Sequence, residues 1–492
     1  MSEYHQIAKA LKLPSQVLIG GTWRNARSGA TFEAVDPATG KVLANLPACN
    51  AADVDDAVAA ARAAFKSGVW SELHPSERKA ILTRFAALIE ENSTELAVME
   101  SLDAGKPISD CLSIDVPETA KCIRWHAEAQ DKLYDQIAPT APDALAMIVR
   151  EPIGVVAAVL PWNYPLMMMA WKIGPALATG NSVIVKPAED TSLTALRLGE
   201  LALEAGIPAG VLNIVTGMGP DVGEPLGRHM DVDALTFTGS TETGRRFLTY
   251  AAQSNMKECC LEMGGKSAAV VLESARDIPR IAEIQAGAIF WNMGENCTAN
   301  SRIIAHHSVY DELVAELRKQ AEAWTVGDPL DPATRNGPLV SEEHFRKVSG
   351  MVETGKKEGG RVVAGGESAG GLAFKPTVFA DITPEMTIFQ EEIFGPVLGV
   401  TKAESDEHAI ELANATAYGL AATLYTSDVT KAHRYARRLH AGTVSVNSYS
   451  EGEISTPFGG MKASGFGGRD NGIHAHEQYT ELKTIWIDLK EA

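Results

Sequence analysis

Cys297 lies in the stretch Phe290-Trp-Asn-Met-Gly-Glu-Asn-Cys297-Thr, a glycine-containing loop that opens after an apolar helical run. A thiol flanked by polar residues on such a loop is a candidate low-pKa nucleophile; the other reading is an inert thiol that packs as a small apolar group. Two glycine-rich turns follow strand-like runs. Gly217-Met-Gly219-Pro-Asp-Val-Gly223 succeeds Val211–Val215 and has the look of a dinucleotide fingerprint, though such strings also serve as plain strand-to-helix turns. Phe237-Thr-Gly239-Ser240-Thr-Glu-Thr-Gly244 is the better phosphate site, because the run Leu235–Thr238 passes there into a helix whose free N–H groups and positive end suit a pyrophosphate. Ser240 is placed both to cap that helix and to donate to phosphate. Val185-Lys186-Pro-Ala-Glu189 sits just past another strand end. An acid there either hydrogen-bonds a ribose 2′-hydroxyl and repels a 2′-phosphate, or is a solvated surface charge. His474-Ala-His476-Glu477 has metal-ligand types but neither a second cluster nor HExxH spacing, so no metal is expected. The vicinal Cys259 and Cys260 read as packing. No GxSxG elbow or Walker loop occurs in the sequence, which weakens serine-hydrolase and kinase readings.

The elements that must position these residues follow from periodicity. Ala51–Lys66 reads as an Ala-rich helix. Pro75–Glu91 reads as an amphipathic one, with Ile81, Leu82, Phe85, Leu88 and Ile89 on one face. From residue 153, short apolar runs rich in β-branched residues (Val155–Leu160, Val183–Val185, Val211–Val215, Leu235–Thr238, Ala268–Leu272) alternate with helical stretches such as Leu166–Ala178, Ser192–Ala205 and Thr241–Ala252. That alternation describes a doubly wound parallel sheet covered on both faces, a nucleotide-binding architecture. A second αβ alternation begins after about residue 280, with helices Val309–Ala323 and Glu407–Ala413 and strands Arg361–Ala364 and Ala421–Thr426, and predicts a second α/β domain. Tyr479–Leu489 reads as a strand that is apolar on both faces and needs another strand or subunit to cover it, so an oligomer is expected.

The 492 residues suffice for two to four domains and for a core that needs no disulfide or metal. A net charge of −19 argues against nucleic-acid and anionic-membrane partners. Met1–Gln16 lacks the pattern of a secretory leader, and no long uncharged apolar run predicts a membrane span. Six cysteines without framework spacing fit a reducing cytoplasm.

Seven motifs then occur in one order: Pro161-Trp-Asn163-Tyr-Pro165, Lys186-Pro-Ala-Glu189, Phe237-Thr-Gly239-Ser240, Leu261-Glu262-Met-Gly-Gly-Lys266, the Cys297 loop, Glu391-Glu392-Ile-Phe394-Gly-Pro396 and Pro457-Phe458-Gly-Gly460. The set resembles the NAD(P)-dependent aldehyde dehydrogenase superfamily from about residue 17 to the C-terminus. Within it, Trp125-His-Ala-Glu128, Ile148-Val-Arg-Glu-Pro152 and Glu481-Leu-Lys-Thr-Ile-Trp486 look most like the bacterial γ-glutamyl-aminobutyraldehyde and guanidinobutyraldehyde dehydrogenases. The resemblance implies a fold with an NAD-binding domain at 1–132 and 153–262, a catalytic domain at 263–465, and an oligomerisation arm at 133–152 and 476–492. It also implies a homodimer or homotetramer acting on a small aldehyde.

The same resemblance assigns roles. Cys297 matches the nucleophile that forms a thiohemiacetal and then, after hydride loss, a thioester. The Asn163 amide and the Cys297 N–H match the oxyanion hole, Glu262 the general base for water, and Lys172 and Asp470 a proton relay behind it. An extra glycine in Gly465-Phe-Gly-Gly468-Arg469 puts the Asp470 match in doubt. Lys186 and Glu189 match adenosine-ribose contacts, Gly239 and Ser240 the pyrophosphate turn, Trp162 the wall beside it, and Glu392 and Phe394 the nicotinamide-ribose clamp. Glu189 implies NAD in preference to NADP. Tyr164, Met168, Trp171, Asn296, Thr298 and Phe458 match the substrate tunnel, with Asp115 and Glu118 at its mouth and Glu451 and Glu453 on a nearby loop. Four carboxylates there favour an aldehyde with a cationic far end, an amino, γ-glutamylamino or guanidino aldehyde. Acids scattered by the chain's overall charge are the alternative, and a neutral aliphatic or aromatic aldehyde stays open. The pocket positions carry no arginine, which counts against an acidic semialdehyde. A silent binding or structural homologue is disfavoured by Cys297, Glu262 and Asn163 standing together. Glu295 and Asn300 depart from the residues more usual at those positions, glutamine and glycine.

Overall fold

A computed structural model describes residues 2–490; Met1, Glu491 and Ala492, at the ends of the expected first domain and arm, lie outside the described residues. The helix Ala51–Lys66 forms as expected, with Asn50 accepting from the Ala52 N–H and Asp53 reaching back to the Asn50 N–H. Pro75–Glu91 also forms as expected and buries Leu82, Phe85, Leu88 and Ile89. The helix Pro165–Ala178 is apolar on all sides and wholly buried, so the ammonium of Lys172 inside it requires a partner.

Eight strands make the first sheet, in the order Thr22–Arg24, Val17–Ile19, Leu212–Ile214, Ser182–Lys186, Val155–Val159, Ala234–Gly239, Glu258–Met263, Gly465–Phe466. The central five are parallel; the edges at both ends are antiparallel. The chain winds outward from Val155–Val159 on one side and then returns to Ala234–Gly239 on the other. A crevice therefore opens beyond the carboxyl ends of these two strands, where open α/β sheets take their ligands. It is bordered by Pro161–Asn163 and by Gly239–Ser240.

The run at Ala268–Val271, grouped by its pattern with the first sheet, instead lies inside a second, seven-stranded sheet. Its order is Arg361–Ala364, Thr377–Ala380, Val397–Ala403, Arg302–His306, Ala268–Val271, Ala421–Tyr425, Thr443–Val446. A continuous apolar strand is buried on both faces in either sheet, so hydropathy does not record which one it joins.

The terminal strand Thr480–Asp488 pairs with Ala144–Pro152, Thr480 opposite Pro152 and Asp488 opposite Ala144, and Gln136–Ala138 completes a three-stranded antiparallel sheet. It is thus covered on one edge from within its own chain, while Tyr134, Ile137, Leu482 and Trp486 remain exposed. Among the described residues no helix is long and apolar enough to cross a membrane.

Candidate active site

Cys297 is delivered by a sharp reversal. The helix Ile278–Phe290 ends, Asn292 (φ 51°) and Met293 (φ 55°) adopt left-handed backbone, and Gly294 (φ 70°) brings the chain against the Gly395 carbonyl, where a Cβ would lie 2.2 Å from the oxygen. Two consecutive non-glycine residues in this region store strain that surrounding bonds must hold. The Asn292 amide does so, donating to the carbonyls of Asn163 at 3.3 Å and Glu295 at 3.1 Å. The Asn163 side chain donates to the same Glu295 carbonyl at 2.9 Å, which fixes its amide beside the Cys297 loop.

A cavity of about 450 Å³ holds most of the residues expected to act together: Cys297, Asn163, Glu262 and Asp470, with Tyr164, Met168, Trp171, Asn296 and Phe458 on one side and Trp162, Gly239, Ser240, Glu392 and Phe394 on the other. Phe458 packs edge-on to Trp171 with ring centres 5.0 Å apart, and Phe394 edge-on to Trp162 at 5.2 Å. Lys172 stands behind this wall, its Nζ 2.6 Å from Asp470 Oδ2 in a fully buried ion pair. The added glycine upstream has not displaced Asp470. Burial, and next the charge of Asp470, pushes the Glu262 carboxyl well above the ordinary carboxylate range; Lys172 and the Gly460 N–H, which donates to Glu262 Oε2 at 3.1 Å, act in the opposite direction. Burial pushes the half-buried Cys297 thiol up, and the carboxylates of Glu451, Glu392 and Glu262 push it further. Burial and these charges thus act against the thiolate form of Cys297 and against the ionised form of Glu262.

The first cavity joins a second, of about 530 Å³, at Trp162, Thr238, Gly239, Ser240, His344 and Lys347. Lys186 and Glu189 line the second and pair with each other at 2.9 Å. Ser240 caps the helix Thr241–Ala252 through the Thr243 N–H at 3.2 Å. A Cβ at Gly239 would sit 2.5 Å from the Phe237 ring, and the buried Thr238 hydroxyl has no partner. An unpartnered hydroxyl, a residue with no side chain and a capped helix N-terminus along one crevice fit a dinucleotide's phosphates. The loop Gly219–Gly223, ambiguous as a motif, lines this second cavity with Gly219 and Gly223.

Other expected residues lie elsewhere. Asp115 is not a mouth carboxylate: it is fully buried, 2.7 Å from Lys106 Nζ, and burial raises its pKa. Lys106 also lies 3.5 Å from Glu100, sits 4.0 Å from the Tyr164 ring centre and donates to the Asn163 carbonyl, so this buried cluster underlies the oxyanion loop. The resemblance matched Asp115 to the tunnel mouth; its pairing with Lys106 turns it inward instead. Glu118 and Glu453 lie outside the cavity and share Lys121, at 3.1 and 3.0 Å, whose single charge offsets part of theirs. Thr298 is buried beneath the cavity, bonded to Asn296, Tyr449 and Glu451. Of the four expected mouth carboxylates, the one that lines the cavity is Glu451.

Residues missed in the sequence include His344 and Lys347, one turn apart on the helix Glu342–Lys357; no motif marks them. The two departures now have physical accounts. Glu295 buries a carboxyl that accepts from the Val340 N–H at 3.1 Å, and burial raises its pKa well above the usual range. Asn300 donates to Thr423 Oγ1 at 2.8 Å and ties the Cys297 loop to the second sheet. His476 turns inward to bond the buried His126 at 2.9 Å while His474 stays at the surface, so the pair does not converge; among the described residues no cluster of three metal-ligand side chains forms.

The sequence between residues 23 and 485 matches the model of the aldehyde dehydrogenase family. The chain is 55% identical to the aminoacetaldehyde dehydrogenase of Pseudomonas aeruginosa, over 99% of this chain and 98% of that protein. It is 48% identical to the NADP/NAD-dependent aldehyde dehydrogenase PuuC of Escherichia coli, over 98% and 97%. The solved structure of γ-glutamyl-γ-aminobutyraldehyde dehydrogenase from Burkholderia cenocepacia superimposes with a TM-score of 0.97 at 48% identity, covering 99% of both chains. With its fold, crevice and sequence agreeing over nearly the whole length, the chain belongs to the aldehyde dehydrogenase family.

Proposed function

We propose that the protein oxidises an ω-amino aldehyde, or one bearing a γ-glutamylamino or guanidino group, to the carboxylic acid, with NAD as the preferred oxidant. The observation that carries this is the convergence of Cys297, Asn163 and Glu262 on one cavity that continues into a crevice shaped for a dinucleotide. The names of the relatives, two of which denote dehydrogenases of amino-substituted aldehydes, support the substrate class.

Cys297 Sγ, its proton released to solvent, attacks the carbonyl carbon and forms a thiohemiacetal. The developing oxyanion is met by the Cys297 N–H and by the second N–H of the Asn163 amide, whose first is committed to Glu295; donors fixed in advance of the reaction are worth about 3 kcal/mol each. NAD, when bound, supplies the acceptor for the hydride that leaves this carbon. Trp162, Glu392 and Phe394 would orient it, Ser240 and Gly239 would hold its phosphates, and Glu189 with Lys186 would hold its adenosine ribose. The Cys297 thioester that remains is cleaved by water. Glu262 takes the water proton, the tetrahedral adduct collapses with the thiolate as leaving group, and the Lys172–Asp470 pair carries the proton onward. A carboxylate at 189 repels a 2′-phosphate, which favours NAD over NADP.

On this reading residues 1–132 and 153–262 carry the nucleotide and 263–465 the nucleophile. The segments 133–152 and 476–492 form an arm whose exposed Leu482 and Trp486 supply a contact between copies in a cytoplasmic homodimer or homotetramer. The test is NADH formation, followed by absorbance, over a panel of cationic, neutral and anionic aldehydes. Turnover that requires Cys297 supports the proposal; full activity of Cys297→Ala overturns it.

A further inference from the structure

Among the carboxylates expected near the pocket mouth, Glu451 alone lines the cavity. Its Oε1 is bound three times: by Asn296 Nδ2 at 2.9 Å, by the Tyr449 hydroxyl at 3.1 Å and by the Thr298 hydroxyl. Asn296 and Thr298 are the two chain neighbours of Cys297, so the carboxylate is anchored within a residue's reach of the nucleophile. Oε2 has no hydrogen-bond partner among the described residues, and Glu451 is only half-buried. Its closeness to the reacting centre shows in its neighbours: the strongest charge acting on the Cys297 thiol, and on the Tyr164 hydroxyl, is that of Glu451. Four aromatic side chains, Tyr164, Trp171, Trp291 and Phe458, line the same cavity. Lys347 is the one cation lining the cavity among the described residues, and it sits where the nucleotide crevice begins.

A carboxylate this close to the thiol is a cost to catalysis unless it serves the substrate, because it disfavours the thiolate. We propose that Glu451 is the specificity-determining residue, its free Oε2 accepting an N–H from a protonated amine carried about two or three carbons from the aldehyde. The surrounding rings complete an aromatic and anionic cage for that ammonium. This rests on the reading of Cys297 as the nucleophile, and it narrows the class above to short ω-ammonio aldehydes, with the long guanidino and γ-glutamylamino aldehydes as poorer substrates.

The test compares kcat/KM with NAD for 3-aminopropanal, for butanal, which has the same number of heavy atoms, and for 6-aminohexanal. The wild-type enzyme is expected to prefer 3-aminopropanal over butanal by about ten- to hundredfold, the usual worth of a charge-assisted hydrogen bond, and to prefer it over 6-aminohexanal. Glu451→Gln keeps the side-chain shape and the Oε1 acceptor but removes the charge. It is expected to bring the first ratio close to one, chiefly through KM, while Glu451→Asp retains part of the preference. An unchanged ratio in Glu451→Gln overturns the inference. So do equal values for 3-aminopropanal and butanal in the wild type, a measurement that needs no variant. Absence of turnover with every aldehyde is a different result and strikes the underlying function instead.

Discussion

Replacing Lys172 with methionine removes the cation that faces Asp470 across 2.6 Å in a fully buried ion pair. Breaking a buried pair by removing one partner costs about 3–5 kcal/mol, because the other charge is left without compensation. The protein relieves that cost by taking up a proton on the Asp470–Glu262 cluster. At about 1.4 kcal/mol per pH unit, 3 kcal/mol corresponds to a rise of about two units in the pH at which the cluster loses that proton. The sign follows from the charges: Lys172 lowers the Glu262 pKa, so its removal raises it further above the ordinary range. A base that must be ionised to activate water then works only at higher pH. Attack by Cys297 and hydride loss do not require this base to act on water. Rapid mixing of Lys172→Met with NAD and aldehyde should therefore still give a burst of NADH near one per site, followed by a slow steady state whose acid limb lies about two units higher than in the wild type. Lys172→Met/Asp470→Asn, which restores neutrality, should recover much of that shift. An acid limb that does not move, or a burst lost together with the steady state, would refute the proton-relay reasoning.

Asn163→Ala should lower kcat by about 10²–10³-fold with a small change in KM, since the amide meets charge that develops only in the transition state; equal loss in both parameters would count against the oxyanion role. Glu189→Gln should raise kcat/KM with NADP relative to NAD by removing repulsion of the 2′-phosphate, read as the ratio of the two efficiencies. Burial, assisted by Asp115, pushes Glu100 up to about 8. A carboxyl whose pKa is raised on folding holds its proton in the native state between about pH 4.5 and 8, so the stability it contributes is present below the unfolded value and is lost as pH rises through that window. Thermal unfolding of the wild type should show that decline between pH 5 and 8, and Glu100→Gln should flatten it.

What the sequence disclosed, it disclosed through local chemistry. The Gly239–Ser240 turn was legible as a strand-to-helix junction because its strand, turn and helix are contiguous, and the helices Ala51–Lys66 and Pro75–Glu91 were legible to the residue because their composition and apolar patterning are local as well. The Cys297 loop by itself left nucleophile and packing readings open, and only the resemblance carried by the motif order favours the first. Properties set by distant contacts stayed hidden. Asp115 read as a pocket acid because nothing local shows that Lys106 turns it inward. Glu118 and Glu453 read as free charges although, far apart in the chain, they share Lys121. His344 and Lys347 carry no motif, and Ala268–Val271 could not declare its sheet, since both sheets ask for the same apolar strand.

The proposed chemistry turns on a covalent bond to one sulfur. Glu262→Gln, which should attack the aldehyde and release hydride but stall before hydrolysis, can be mixed with NAD and substrate, quenched in acid, digested and weighed by mass spectrometry. The peptide carrying residue 297 is predicted to gain the mass of the product acid less one water, in step with the NADH burst. NADH formed in a burst with that peptide unmodified, or the acyl mass found on another residue, would contradict it.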